Sequence, residues 1–213
     1  MARIPTAFLS PLAGRVDEVL AQYGYEIGRA IDAIDAAVTG YGGLFEPGTT
    51  DEEIRVAIEA VLAADPPPCE RWDELDGADI VLYVDGSSRG NPGPAGAGAV
   101  IRAADASIAR LGMPVGSRAE NNTAEYAALH LGLETLTTRC TPRSVEVRID
   151  SMTVINDIWG DSDGIPAADQ YREAIVGHIE ALPTCEPTHL VDSDPNPADA
   201  RAAVGADIAA LGN

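Results

Sequence analysis

The sequence predicts an α/β fold preceded by an acidic helical hairpin, and three observations carry that reading. Before a run of three prolines (Pro66, Pro67, Pro68), apolar residues recur at steps of three and four. After it, short apolar runs alternate with helical stripes, and the turns between the first of those runs are rich in Gly, Pro and Asn. The expected division is a hairpin over residues 1–65, a linker over 66–78 and a sheet-containing domain over 79–213.

Val16, Leu20, Tyr23, Ile27, Ile31, Ile34 and Val38 fall on one face of a long helix, and a Gly/Pro-rich loop over residues 40–48 turns the chain. Thr50 and Glu53 stand at capping-box spacing before a second stripe of Ile54, Ile58, Val61 and Leu62. The two stripes are expected to pack on each other; docking of the hairpin on another protein is the alternative. No helix runs through three prolines, hence the linker. Three strands follow, over residues 80–84, 95–101 and 107–115, their short turns suggesting an antiparallel meander. A helix over 122–136 carries Tyr126, Leu129, Leu133 and Leu136 on one face. A buried strand over 145–149, helices over 152–159 and 167–182, a strand over 188–191 and a last helix over 197–211 complete the chain.

With 213 residues, 46% of them hydrophobic, the chain can bury a sizeable core. Its 34 acidic side chains face 14 basic ones, every one of them arginine, for a net charge of −20. The excess is shared evenly between residues 1–78 and 79–213, so it is no acidic tail. Such a surface ordinarily opposes nucleic acid, whose binding draws on phosphate contacts. An acidic, lysine-free, Ala/Gly-rich chain nevertheless resembles proteins of organisms that hold molar salt in the cytoplasm. There the Debye length is about 3 Å and a distributed charge is screened beyond contact. An acidic interaction protein working in low salt is the competing reading. Cys69, Cys140 and Cys185 are odd in number and scattered, and neither a secretory signal nor a membrane-length apolar run occurs, so a cytoplasmic location is expected, with no membrane partner.

Four short motifs carry chemistry. Asp85-Gly86-Ser87 ends an apolar strand and leads into a turn rich in Gly, Asn and Pro. A strand rather than a helix follows, and no lysine exists to serve a Walker loop, so this is a hairpin. Asp85 still needs a cation or donor, because a carboxylate leaving so apolar a run is costly alone. Asn121-Asn122 opens a helix, either residue being a good cap, with Glu125 in its first turn. Asp150 stands where a strand meets a helix, as an ordinary cap would, and Asp199 opens the last helix. Each motif alone is weak. Gathered at strand ends and helix starts, with Arg89 the one basic residue among them, the acids would repel unless cations lay between. An oxygen-only set of that kind suits Mg²⁺ or Mn²⁺.

The order Asp85-Gly86-Ser87 with Asn91-Pro92-Gly93, then Asn121-Asn122 with Glu125-Tyr126, then Asp150-Ser151, then Ala198-Asp199, resembles type 1 ribonuclease H over residues 79–211. The resemblance implies a five-stranded mixed sheet, its first three strands antiparallel, flanked by helices. It implies an endonuclease that hydrolyses the RNA strand of RNA/DNA hybrids with two Mg²⁺ or Mn²⁺ ions and no small-molecule cofactor, leaving 5′-phosphate and 3′-hydroxyl ends. Asp85 would bridge both ions, and Glu125, Asp150 and Asp199 would complete their shells. Gly86, Ser87, Asn91 and Asn121 would meet 2′-hydroxyls or backbone of the hybrid, and Asn122 its DNA strand.

Departures from the family pattern are specific. Glu120 stands where many relatives have a threonine that helps bind a DNA phosphate, and a carboxylate there is unfavourable. The loop over residues 192–197 lacks the histidine of many bacterial relatives, and His189 is expected to be a packed or surface residue. Pro195 holds the usual asparagine position, with Asn196 following and Asp192 and Asp194 beside it as candidate holders of a metal-bound water. The stretch before Asp199 is too short for the basic helix of some members, which leaves Arg89, Arg118 and Arg148 for phosphate contacts, while Trp159 is expected to fill core beside Ile155 and Ile158. Two rival readings remain: a catalytically silent nucleic-acid-binding module, against which all four acids weigh, and another nuclease of the same superfold, against which the Asp-Gly-Ser and Asn-Asn-x-x-Glu-Tyr strings weigh.

Overall fold

The computed structural model describes residues 8–40, 42–66, 72, 75–104, 106–160, 164–191 and 193–212. Pro67, Pro68, Cys69 and Asp192 lie outside the described residues. Three helices come first: α1 (Pro11–Gln22), α2 (Ile27–Ala37) and α3 (Asp51–Leu62). The single long helix expected through Val38 is therefore two. Gly24 (φ 62°) and Tyr25 (φ 61°) turn left-handed and end α1. Stripe residues on both sides of the break (Leu20, Ile27, Ile34) stay buried, so periodicity alone could not reveal it. Ser10 caps α1 through its side chain, and Thr50 with Glu53 forms the expected capping box of α3.

Next come β1 (Asp79–Ser88), β2 (Gly93–Ala103), β3 (Ala106–Ala119), α4 (Asn121–Arg139), β4 (Ser144–Ile149), α5 (Met152–Ile158), α6 (Asp169–Glu180), β5 (Cys185–His189) and α7 (Asp199–Ala210). The five strands form one sheet in the order β3-β2-β1-β4-β5. The hairpin-linked pairs β1–β2 and β2–β3 are antiparallel; β1–β4 and β4–β5, joined through helices, are parallel, which gives the expected mixed sheet. β5 begins earlier than the expected strand over 188–191. Pro187 reads as a breaker but sits in an edge strand, where a missing N–H is tolerated. His189 ends that strand in an exposed position.

α4 and α7 lie on opposite faces of the sheet. A Cβ on Gly132 of α4 would strike Leu82, and one on Gly98, the cross-strand partner of Asp85, would meet the Ala202 backbone nitrogen of α7 2.5 Å away. Alternation along β1 thus turns Leu82 toward α4 and Asp85 toward the α7 side.

The N-terminal helices share one buried cluster with the sheet, so the apolar stripes are covered by the chain itself. They also cover the edge strand β3: Gly112 N–H donates to the Tyr25 carbonyl (3.0 Å), Ser117 N–H to the Phe8 carbonyl (2.9 Å), and Glu26 bridges Leu111. Part of the expected linker is likewise fastened. Trp72 and Leu75 are buried, the Arg139 guanidinium lies 4.9 Å over the Trp72 ring, and Gly77 N–H donates to the Thr141 carbonyl. Among the described residues, no helix is long and apolar enough to cross a membrane.

Candidate active site

At the C-terminal end of β1, Asp85, Glu125 and Asp150 each bring a carboxylate oxygen to within 4.8 Å of the others. The local fold explains the meeting. β1 carries Asp85 out of the core; a Cβ on the next residue, Gly86, would sit 2.4 Å from the Glu125 backbone nitrogen, so only glycine lets α4 lie directly on the strand. Glu125 is fixed there from two sides: Gly86 N–H donates to its Oε2 (3.1 Å) and the Asn121 amide to its Oε1 (3.3 Å). Asp150 follows β4 in an exposed position, and the residue that caps α5 is Ser151 rather than Asp150.

Asp199 lines the adjoining hollow of about 430 Å³ together with Asp85, Asp150, Asp194 and Asn196, with no basic side chain among the described residues of its lining. Asp199 is the first residue of α7, and Asn196 fixes its approach. The Asn196 amide donates to the Val84 carbonyl (3.0 Å), one residue before Asp85, while its Oδ1 accepts from Ala198 N–H (3.1 Å). One side chain therefore ties the loop before α7 to the strand that bears Asp85.

The electrostatics are those of crowded anions. Asp85 is 7% exposed and Glu125 5%. Burial, then Asp150 and Asp199, hold the Asp85 carboxyl well above the usual range. Burial, then Asp85 and Asp150, raise Glu125 further, opposed only in part by the Gly86 N–H and the Asn121 amide. A set of carboxylate oxygens without a basic partner is what a hard divalent cation neutralises, so the residues present fit such an ion.

The other expected residues fall around this centre. Gly86 is buried and Ser87 half-buried on β1; Asn122 is exposed in the first turn of α4. Neither Asn121 nor Asn122 is the cap of α4. The cap position is Glu120, without a side-chain bond of its own, and Asn91 supplies the acceptor through Oδ1 to Asn121 N–H (3.0 Å). Glu120 borders a hollow that also contains Arg118 and Thr123. Of the arginines expected to hold phosphate, Arg89 is paired with Asp207 (2.6 Å), and Arg148 with Glu146 and the Tyr83 hydroxyl. Trp159 packs on the core and donates to the Cys185 carbonyl (3.2 Å).

Sequence reasoning missed the support behind Glu125. The neighbouring Tyr126 is fully buried and its hydroxyl donates to Asp157 Oδ2 (2.7 Å), whose Oδ1 accepts from Arg172 (2.9 Å). This array joins α4, α5 and α6. A tyrosine inside a leucine stripe was its only local sign.

Residues 83–205 match the reverse transcriptase-like family. The Ribonuclease HI of Halobacterium salinarum is 35% identical over 117 residues, which cover 49% of this chain and 59% of that protein. Among solved structures, the N-terminal RNase H domain of rv2228c from Mycobacterium tuberculosis superposes with a TM-score of 0.58 at 29% identity, over 63% of this chain and 97% of that one. LC11-RNase H1, isolated from compost by a metagenomic approach and solved in complex with an RNA/DNA hybrid, gives 0.55 at 29% identity, over 60% and 96%. The shared part is the sheet with its helices, and with more than half its length inside the family match the chain belongs to the ribonuclease H-like, reverse transcriptase-like family.

Proposed function

We propose that the chain is a type 1 ribonuclease H that hydrolyses the RNA strand of RNA/DNA hybrids, with Asp85, Glu125, Asp150 and Asp199 as its metal-binding catalytic acids. The observation that carries the reading is the convergence of three carboxylates within 4.8 Å, with Asp199 in the adjoining hollow and, among the described residues, no basic side chain there to neutralise them. Two Mg²⁺ or Mn²⁺ ions, when bound with substrate, would supply an activated water and stabilise the leaving 3′ oxygen.

The chain's own part is to hold the acids in place. Gly86 and Asn121 each hold one oxygen of the Glu125 carboxylate, which fixes it beside the centre, and Asn196 keeps the start of α7 beside β1. Gly86, Ser87, Asn91 and Asn121 line the approach for RNA 2′-hydroxyls and Asn122 that for the DNA strand. With Asn91 already committed to capping α4, its contact with the hybrid is through what that bond leaves free. Glu120 beside Arg118 weakens a phosphate pocket at that point. The acidic, lysine-free surface supports work in concentrated salt inside a halophile's cytoplasm. Within this scheme residues 79–213 act as the catalytic domain, residues 1–65 as a helical region covering its sheet edge, and 66–78 as the connection.

Incubating end-labelled RNA/DNA hybrid, duplex DNA and duplex RNA with the protein and Mg²⁺ or Mn²⁺, from 0.1 M to molar KCl, tests this reading. Internal cleavage of hybrid RNA to 5′-phosphate ends, abolished by a chelator, is expected. An intact hybrid with both metals at every salt concentration would overturn it.

A further inference from the structure

A cleft of about 500 Å³ opens between α2, β3 and α7. Arg29 of α2, Arg110 and Ser107 of β3 and Arg201 of α7 line it, with Glu26 and Asp32. A neighbouring hollow of about 300 Å³ shares Ser107 and Arg110 and adds Arg102 and Pro197. Among the described residues, four of the fourteen arginines thus border the two hollows against two carboxylates, a local excess of positive charge on a chain whose net charge is −20.

The fold builds this convergence. At Gly112, a Cβ would meet Ile27 of α2 at 2.7 Å and the Arg201 carbonyl of α7 at 3.1 Å, so both helices close on the same point of β3. Arg110 stands two residues away on the same face of the strand. Surface arginines among 34 acids would readily find partners, as Arg15, Arg89 and Arg143 do. Among the described residues, neither Arg110 nor Arg201 has an ion pair or a side-chain hydrogen bond. Ser107 Oγ is shut off from solvent without a hydrogen-bond partner. An unpaired buried hydroxyl is costly, and guanidinium forks match the oxygens of a phosphate.

We propose that this cleft binds a phosphate group through Arg110 and Arg201, with Arg29 as a supporting contact and the unpartnered Ser107 hydroxyl in the wall behind them. Its natural source is the backbone of the nucleic-acid strand that the carboxylate centre acts on, a point that rests on the function proposed above. Asp199 and Arg201 are two residues apart on α7 and so about 200° apart around it. The first turn of α7 turns one side to the carboxylate hollow and the other to the arginine cleft. Arg29 and the cleft wall that carries it come from residues outside the stretch matched to the family, so the site belongs to this chain's own N-terminal helices.

Full-length protein and the double variant R110Q/R201Q test it in two arms. In the first, inorganic phosphate is titrated against each while the arginine side-chain nitrogen resonances are followed by NMR. Saturable shifts are expected in the parent and at least a tenfold weaker affinity in the variant. In the second, uncleaved hybrid is bound to Asp85→Asn, with and without the two arginine changes, across a KCl series. A fall of about one in the slope of log affinity against log salt marks one lost backbone phosphate and identifies the strand as the source. Loss in the first arm with an unchanged slope supports the site with free phosphate as its ligand. No difference in either arm, with melting temperature unchanged, overturns the proposal. The phosphate arm reads out even where no hybrid is cut, so failure of the site and failure of the proposed function are separable.

Discussion

The two faces of the sheet hold their candidate metal-binding acids by different physics. On one face α4 is buried nearly all round, and Glu125 rides on a helix backed by Tyr126, Asp157 and Arg172. On the other, α7 lies against β2 almost backbone to backbone: a Cβ on Gly96 would sit 2.1 Å from the Ala206 nitrogen. Among the described residues, the Asn196 amide is the side-chain hydrogen bond that ties the loop before Asp199 to β1. A deeply embedded polar network resists displacement but is sensitive to charge; a small-residue contact is close but has few side chains to correct an error. Asp85, on the strand between them, needs both.

The largest test falls on that shared residue. Asp85→Asn is expected to lower hydrolysis by about a thousandfold or more while the protein stays folded, because the change removes a charge that crowding already disfavours. Stability by thermal melting without added metal should hold or rise. Activity within tenfold of the parent would remove Asp85 from the chemistry.

The embedded face is sharpened by pH. His130 of α4 is buried against Tyr171 and His178, with Glu134 Oε2 3.8 Å from its Nδ1. Burial, then His178, press its pKa down to about 4, and burial raises that of Glu134 above the usual carboxylate range. A folded-state pKa below the unfolded value of about 6.5 means that stability is whole above that value and is lost as pH falls toward 4. Denaturant melts at pH 7 and 4.5 should show the parent losing about 2 kcal/mol more than His130→Gln. Equal losses would free His130 of this role.

The smallest expected effect is on the other face. Asn196→Ala should reduce kcat by roughly tenfold, about 1.4 kcal/mol, with hybrid affinity little changed, because it loosens Asp199 without touching the strand. Should kcat hold while affinity falls, Asn196 contacts substrate rather than positioning an acid.

What could be read from the sequence was local. Each of the four acids stands at a strand end or helix start, within a short string whose order alone suggested their meeting, and the three-strand meander followed from its turns. Features that depend on residues far apart were invisible. Beyond a tyrosine in a leucine stripe, Tyr126, Asp157 and Arg172 signal nothing until three helices pack, and Arg29, Arg110 and Arg201 come from elements spread over nearly the whole chain. The end of α1 was hidden for another reason: a left-handed tyrosine leaves no mark, and a lone glycine is tolerated in helices. Pro187 concealed the start of β5 because only a central strand forbids proline.

That left-handed tyrosine has a use at the sheet's edge. A non-glycine residue at φ 61° costs about 1–3 kcal/mol, and here it aims the Tyr25 carbonyl at the Gly112 amide. Without such a cover, β3 would offer other copies of the chain a fourteen-residue template for intermolecular pairing. The N-terminal helices thus close an edge at which pairing between molecules would meet least opposition in concentrated salt, where charge repulsion no longer keeps copies apart.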